Sequence, residues 1–283
     1  MNIGVALGNL GFAIGRPIDG ASHAAIVYAV AEAAEDLGFH SVWAGDHLAL
    51  PRQPSTPYPY GGMLLDAETS LLEPFTVLAA VAGRTSRVRL GLGVVVAPYR
   101  HPVLSAKLIA TLDALSGGRV IVGVGTGWLP EEFAAVGVSF ASRGAATDAC
   151  LAAWERAFTS GELDGMTLLP RPVQQPRPPM WVGGNATAAM QRAARFADGW
   201  DAPYADPTSL SEGLSRLERV CEAEGRARST LGVSVRGLAA DAVSASTVES
   251  YAALGVTDLG VMLPLASPQD AVASLRALAG RVL

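Results

Sequence analysis

The chain has 283 residues, half of them hydrophobic, and a formal net charge of −5 at pH 7 that is not gathered into blocks. This length allows two domains or one barrel, and the charge argues against binding to nucleic acid. No apolar run is long enough to cross a bilayer and no export signal precedes the first residues, so we expect a soluble, cytoplasmic protein that binds small molecules and no membrane.

A short β-branched run, a turn and a longer helix-period segment recur along the chain, which is typical of parallel βα units. Eight such units can be counted, each with one helical segment before the next strand, and eight units close a barrel. The sequence therefore predicts an α/β fold, a (β/α)8 TIM barrel, with residues 1–283 as a single domain. The predicted strands start near Ile3, Ser41, Val88, Val120, Met180, Gly199, Leu231 and Asp258.

Two connections are longer than a compact domain usually allows, and loops of this length are commonly functional or mobile. The first covers residues 46–72, after the second strand, and includes Gly61 and Gly62. The second covers residues 161–179, before the fifth strand, and is rich in proline. The first follows the carboxyl end of a strand, where barrel active sites lie, so it is the better candidate for a lid.

The glycine patterns of a dinucleotide-binding fold are incomplete in this sequence. The spacing G-x-G-x-x-G is absent from residues 8–12 (GNLGF), which follow the first predicted strand. Residues 123–127 (GVGTG) follow the fourth strand but lead into Trp128, with no acidic residue at the usual distance. Both departures favour a barrel over an open, doubly wound sheet.

Asp46 and His47 directly follow a predicted strand of largely apolar residues. The carboxyl ends of barrel strands point into one shared mouth, so both side chains are delivered there. An imidazole in such a place can take up or release a proton near neutral pH. Position alone leaves an equal alternative, in which Asp46 caps the following segment and His47 only makes a hydrogen bond in the loop.

Residues 182–187 (VGGNAT) lead from the fifth predicted strand into an alanine-rich helix. Backbone N–H groups at a helix N-terminus attract anions, so a phosphate fits there. The alternative is that Asn185 caps the helix and the glycines only form a tight turn.

Residues 91–98 (GLGVVVAP) place glycines inside a strand that otherwise has a buried pattern. An interior glycine often marks a bulge or a close approach to a ligand, so a flat ring could lie there. Small residues could equally be needed to fit the barrel interior, and without the other motifs this second interpretation is favoured.

Metal, disulfide and Schiff-base chemistry find no support in the sequence. Cys150 and Cys221 lie in helix-like segments without metal spacing, and we expect two buried, unreactive thiols. The single lysine, Lys107, is not at the end of a predicted strand, and there is no clear cluster of carboxylates for a metal. A lyase or aldolase is therefore disfavoured, and no metal site is expected.

Several segments together resemble the luciferase-like monooxygenase superfamily, and in particular its coenzyme F420-dependent oxidoreductases. The resemblance covers nearly the whole chain, and the order and spacing of the segments make it specific. The segments are residues 43–47 (WAGDH), 100–103 (RHPV) with Lys107, 112–119 (LDALSGGR), 123–128 (GVGTGW), 131–133 (EEF), 181–185 (WVGGN) and 197–200 (ADGW).

The resemblance implies that a deazaflavin or flavin ring binds in the mouth of the barrel, against a bulge in the third strand. It also implies a non-prolyl cis peptide bond in that bulge, which by position joins Gly93 and Val94. The cofactor phosphate would be held by Gly183, Gly184, Asn185 and Thr187, and the cofactor side chain would be lined by Gly125, Thr126, Gly127 and Trp128.

Asp46 and His47 match the acidic residue and the histidine that follow the second strand in F420 enzymes, so the resemblance implies a catalytic role for both. Asp46 would also contact the cofactor. Trp128 stands where the sugar-phosphate dehydrogenases of the superfamily have a glutamate, which argues against that substrate class. We expect a homodimeric oxidoreductase that transfers a hydride between F420 and a small organic substrate.

Two other functions remain open for the same fold. An FMN-dependent monooxygenase would use reduced flavin to activate O2, and none of the residues named above excludes it firmly. A non-catalytic protein that binds a flavin or deazaflavin would keep the phosphate site without a proton-transfer group.

Overall fold

The computed structural model describes residues 1–11, 18–60 and 68–283 of the chain. Within these residues, eight parallel strands close into a barrel. The barrel strands are β1 (Asn2–Ala6), β2 (Ser41–Ala44), β3 (Arg89–Val96), β4 (Val120–Gly125), β7 (Met180–Gly183), β8 (Gly199–Pro203), β9 (Gly232–Ala239) and β10 (Asp258–Met262).

The strands follow one another around the barrel in the order β1, β10, β9, β8, β7, β4, β3, β2, and β2 returns to β1. Each predicted start lies within one residue of the observed one; the third strand, for example, begins at Arg89 instead of Val88. The predicted (β/α)8 barrel is therefore confirmed. Its periodicity was readable because each strand is short, β-branched and separated from the next by helical segments.

Helices surround the barrel, and none of those within the described residues is both long and apolar enough to cross a membrane. Strand residues that face them, such as Val42, Leu90 and Val120, are fully buried. The helices are α1 (Gly20–Leu37), α2 (Pro74–Ala82), α3 (Pro102–Ser116), α4 (Pro130–Ala135), α5 (Arg143–Ser160), α6 (Thr187–Phe196), α7 (Pro207–Ala223), α8 (Ala245–Ala253) and α9 (Pro268–Val282).

The connection between β4 and β7 departs from the expected single helix after each strand. It contains α4, α5 and an antiparallel hairpin of two short strands, β5 (Glu162–Leu163) and β6 (Met166–Thr167). The hairpin lies at the start of the predicted long loop 161–179, which therefore is not wholly irregular. Strands of two residues are too short to produce a recognisable alternating pattern, so the sequence did not reveal them.

Two tryptophans fill much of the barrel interior, and glycines on neighbouring strands make room for them. A methyl group on Gly91 would lie 2.2 Å from the Trp43 indole, and one on Gly199 would lie 2.3 Å from the Trp181 indole. Trp43 also donates a hydrogen bond from Nε1 to Ser41 Oγ at 2.7 Å. The interior below the mouth is therefore a packed core and not a pore.

Candidate functional site

A cavity of about 630 Å³ opens at the carboxyl ends of the barrel strands. Cavities of about 300–1,000 Å³ are the usual size of cofactor and small-molecule sites. Thr187 does not line this cavity but is the first residue of α6, beside it. The predicted site residues that do line it are Asp46, His47, Gly93, Val94, Gly125, Thr126, Gly127, Trp128, Gly183, Gly184 and Asn185.

Strand β3 is irregular where the bulge was predicted. Its pairing with β4 shifts register between Leu92 and Val95, and the peptide bond between Gly93 and Val94 is cis. Both expectations for this strand are confirmed. Gly93 also lies against an interior side chain, since a methyl group there would be 3.0 Å from Trp43 Cε3. Gly93 therefore lines the cavity and also leaves room for Trp43, and a ring bound against it stays a prediction.

The buried carboxylate of Asp46 is fully engaged by neighbouring donors. Arg100 donates to both of its oxygens, from Nη1 to Oδ2 at 2.7 Å and from Nη2 to Oδ1 at 3.0 Å, and Val96 N donates to Oδ2 at 2.9 Å. Burial raises the pKa of the Asp46 carboxyl, while the hydrogen bonds from Arg100 oppose that increase. Asp46 thus ties the end of β3 to β2, and this geometry favours a positioning role over a catalytic one.

His47 is held at the edge of the cavity by a glutamate from another element. Its Nδ1 lies 2.7 Å from Oε2 of Glu132, which is almost completely buried on α4. An ionised carboxylate only accepts hydrogen bonds, so the neutral imidazole carries its proton on Nδ1. Nε2 is then the nitrogen that can accept a proton.

The Glu132 carboxylate accepts hydrogen bonds from several residues. Leu48 N donates to its Oε1 at 2.7 Å, and the Tyr99 hydroxyl donates to its Oε2 at 2.9 Å. Burial alone would raise the pKa of Glu132, but the hydrogen bonds from His47, Leu48 and Tyr99 outweigh it and the pKa is lowered. Glu132 is therefore an anion at neutral pH, and its hydrogen bond orients the His47 ring.

The sequence did not single out Glu132 as the partner of His47. Glu132 stands in the segment EEF, where nothing local distinguishes it from Glu131. The side chain of Glu131 has a different partner, since Ser55 N donates to its Oε1 at 2.7 Å. The available signal was Pro130, which starts α4 and fixes the direction of its first turn. His47 follows β2 and Glu132 follows β4, so the position of Pro130 could have indicated that their side chains meet.

The far end of the cavity is formed by the N-terminus of α6. Its N-cap is Ala186, and no described side chain caps the helix. Asn185 was the alternative cap, and this is wrong: its Nδ2 donates to the Pro203 carbonyl at 3.3 Å instead. The N–H groups of Thr187 and Ala188 therefore have no described acceptor, and Ala186 and Ala188 line the cavity, as an anion site requires.

Two arginines that the sequence did not indicate also line this end of the cavity, Arg143 and Arg192. Arg192 Nε donates to Asp148 Oδ1 at 2.6 Å, and the Arg143 guanidinium lies 3.9 Å from the centre of the Phe140 ring. Arg143 is the first residue of α5, which contacts α6, and Arg192 belongs to α6 itself. They add positive charge to a site that already favours anions.

An aromatic cluster covers the mouth. Tyr58 and Tyr60, from the connection after β2, reach Tyr204 at the end of β8; the Tyr60 and Tyr204 rings are stacked with centroids 5.6 Å apart. Tyr58 also contacts Trp128, edge to face, at 5.3 Å. All four line the cavity, so the described part of the predicted lid lies over it. Gly61 and Gly62 of the same loop lie outside the described residues.

A second buried ion pair lies on β8 and β9, across the barrel from β3. Arg236 Nε is 3.2 Å from Asp201 Oδ2, and Ser234 Oγ donates to Asp201 Oδ1 at 2.5 Å. The Arg236 guanidinium lies 3.2 Å from the centre of a Trp43 ring. Burial raises the pKa of Asp201 and lowers that of Arg236, because each charge is removed from water. The sequence did not indicate Arg236.

The family model for luciferase-like monooxygenases matches residues 9–278. The chain belongs to this family. A relative from Mycobacterium tuberculosis, the uncharacterized protein Rv0940c, is 35% identical over 241 residues, which cover 81% of this chain and 82% of the relative. Membership makes the chain a luciferase-like oxidoreductase or monooxygenase and leaves its cofactor to be established.

Solved structures of both cofactor classes share the fold. An F420-dependent secondary alcohol dehydrogenase, in complex with an F420-acetone adduct, has a TM-score of 0.76 and 16% identity, with 99% of each chain covered. The oxygenating constituent of 3,6-diketocamphane monooxygenase from Pseudomonas putida, in complex with FMN, has a TM-score of 0.66 and 17% identity, with 84% of this chain and 67% of that chain covered. At these identities the likeness concerns the fold alone.

Proposed function

We propose that this protein is an F420-dependent oxidoreductase that transfers a hydride between the deazaflavin and a small organic substrate. The observation that carries the proposal is that one cavity joins the buried His47–Glu132 pair to the uncapped N-terminus of α6. A proton-transfer group at one end and an anion site at the other suit a redox cofactor that carries its phosphate on a side chain.

The lining of the cavity supports this assignment. Gly93 and Val94 would contact the ring, residues 125–128 would line the side chain, and Gly183, Gly184, Asn185 and Thr187 would hold the phosphate. Arg143 and Arg192 favour an anionic side chain at that end. The bound cofactor supplies the hydride chemistry that side chains lack.

The protein's own residues position groups and move a proton. Glu132 keeps the proton of neutral His47 on Nδ1, so Nε2 can take a proton from the substrate or return one. Asp46 and Arg100 fix the end of β3, on which the ring would rest. Tyr58 and Tyr60 cover the mouth and keep water from the reacting groups.

The alternative with most support is an FMN-dependent monooxygenase, because the α6 N-terminus accepts a phosphate monoester as readily as a diester. The pair Asp46 and His47, which resembles that of F420 enzymes, favours the deazaflavin. Titration of the cofactor-free protein with F420, FMN and riboflavin, followed by fluorescence, separates the two. We expect F420 to bind most tightly and riboflavin, which has no phosphate, to bind most weakly. Tight FMN binding without F420 binding would overturn the proposal.

The His47→Gln variant separates an enzyme from a non-catalytic binding protein. We expect it to keep its affinity for F420 and to lose at least about 100-fold in turnover on any substrate accepted by the wild type. Unchanged turnover would remove the role assigned to His47.

A further inference from the structure

Arg236 has unused hydrogen-bonding capacity inside the cavity. A guanidinium has five N–H donors, and here Nε faces Asp201 while no described protein oxygen accepts from the two terminal nitrogens. The side chain is only 14% exposed and lines the cavity. Because buried polar groups require partners, a molecule in the cavity is what these donors are placed to meet.

The surrounding residues hold Arg236 in one pose. Its guanidinium stacks on Trp43, and Asp201, itself fixed by Ser234, holds Nε. The Arg236 side chain also requires a glycine opposite it on β10, since a methyl group on Gly260 would lie 2.8 Å from Arg236 Cγ. A donor group fixed in this way loses little entropy when it binds a ligand.

A bulge directly follows Arg236 on β9. The pairing of β9 with β10 shifts register after Arg236, at Gly237, which has a φ of 92°. A methyl group on Gly237 would lie 2.4 Å from the Tyr204 ring. Bulges are common beside active sites, and Tyr204 N donates to the Arg236 carbonyl at 2.7 Å, so the backbone of Arg236 adjoins the aromatic cluster.

We propose that Arg236 binds a carboxylate of the substrate, and that the substrate is a flat, mostly apolar carboxylic acid. The two terminal nitrogens form a planar fork that matches a carboxylate. Tyr58, Tyr60 and Tyr204 provide flat surfaces for the rest of such a molecule. Asp201 already offsets the charge of Arg236, so a monoanion is accommodated better than a phosphate dianion. This assignment rests on the proposed function and names its substrate class.

The cofactor also carries anionic groups, but its phosphate has a separate site. The α6 N-terminus, Arg143 and Arg192 lie at the β7 side of the cavity, whereas Arg236 projects from β9 and is opposite β3 in the barrel order. A carboxylate on Arg236 therefore belongs to the second molecule in the cavity.

Calorimetric titration with benzoate, benzamide and phenylphosphonate tests the assignment on the wild type, both cofactor-free and saturated with F420. Arg236→Gln alone would leave the buried Asp201 carboxylate without its cation, so the decisive variant is Asp201→Asn/Arg236→Gln, checked for folding by circular dichroism. Arg236→Lys keeps the charge without the planar fork. Each protein is also titrated with F420.

We expect the wild type to bind benzoate at least about 10-fold more tightly than benzamide or phenylphosphonate, as for a charged hydrogen-bonded pair. The double variant loses this preference, Arg236→Lys keeps part of it, and F420 affinity stays within about twofold for both. Any of three results would overturn the assignment. The wild type could lack the preference for benzoate, the double variant could retain it, or the double variant could lose F420 affinity instead. If F420 does not bind while the preference for benzoate is intact, the result contradicts the proposed cofactor and not the carboxylate site.

Discussion

Two walls of the cavity use buried charge in different ways. On the His47 wall (Asp46, His47, Arg100 and Glu132), the carboxylates accept hydrogen bonds from several protein donors each. On the Arg236 wall (Asp201, Ser234 and Arg236), the carboxylate is satisfied, but the guanidinium keeps donors directed at the cavity. The carboxylates of the first wall are satisfied without a ligand, and we propose that a ligand satisfies the guanidinium of the second. The difference separates carboxylates that hold the site together from a guanidinium that can recognise what enters it.

The largest effect is expected from Asp46→Ala on the His47 wall. The substitution leaves Arg100 buried without its main partner, and we expect a loss of about 3–5 kcal/mol in the free energy of unfolding, measured in urea. Glu32→Ala is the matched control, because the pair of Glu32 with Arg84 is about half exposed and is expected to contribute no more than about 1 kcal/mol. A loss at Asp46 as small as that of the control would mean that Asp46 does not hold the wall and is available for catalysis.

The next effect is expected from Glu132→Gln, which replaces one acceptor oxygen and so leaves the two donors at that oxygen, either His47 with Tyr99 or Leu48 with Ala49, without their acceptor. We expect a loss of about 1–3 kcal/mol in the free energy of unfolding at neutral pH. The pKa of Glu132 is lowered in the folded protein, so its contribution is present above the unfolded value of 4.5 and is lost as the pH falls through the folded value.

The difference in stability between wild type and Glu132→Gln should therefore narrow when urea unfolding is repeated at about pH 4. Tyr99→Phe is the companion variant, since it removes one donor and leaves the carboxylate charged. A difference that is constant or wider at low pH would show that Glu132 is not the stabilised anion inferred from its hydrogen bonds.

A smaller effect is expected at the anion end, where Ala186→Asp and Ala186→Ser form a matched pair. Either side chain can cap α6 and stabilise it by about 0.5–1 kcal/mol. The aspartate also repels a phosphate, so we expect F420 affinity to fall about 10-fold, worth about 1.4 kcal/mol, and to fall less in the serine variant. Equal affinities of the two variants would place the phosphate elsewhere.

The smallest effect is expected at Cys150, which lies behind the His47 wall and should not react with an alkylating reagent. Burial raises the pKa of Cys150 to about 11, and its Sγ donates to the Ala97 carbonyl just after β3. We expect iodoacetamide at about pH 8 to leave Cys150 and Cys221 unmodified in the folded protein and to label both in urea, read by mass spectrometry. Rapid labelling of folded Cys150 would show that this wall opens.

The barrel and the ends of its strands were readable from the sequence for a physical reason. Strand and helix periods alternate along the chain, and parallel strands must present their carboxyl ends at one face. Asp46, His47 and Gly183 could therefore be assigned to one mouth although they are far apart in the sequence. The resemblance to the family added the place of the cis bond at Gly93.

The partners of these residues were not readable, because they depend on how helices and strands approach one another in space. Glu132 and Arg192 come from helices whose charged residues have the pattern of ordinary solvated faces. Arg236 is the single charged residue of β9, and sequence alone does not show whether such a side chain faces inward or outward. Asn185 was assigned as a possible cap because the local preference for asparagine ignores the carbonyl of Pro203.

The proposed cofactor site is best tested by a crystal structure of the protein with F420. We expect the cofactor phosphate within hydrogen-bonding distance of the backbone N–H groups of Thr187 and Ala188, the ring against Val94, and the terminal nitrogens of Arg236 without contact to the phosphate. A phosphate bound to Arg236, with the N-terminus of α6 left to solvent, would contradict it.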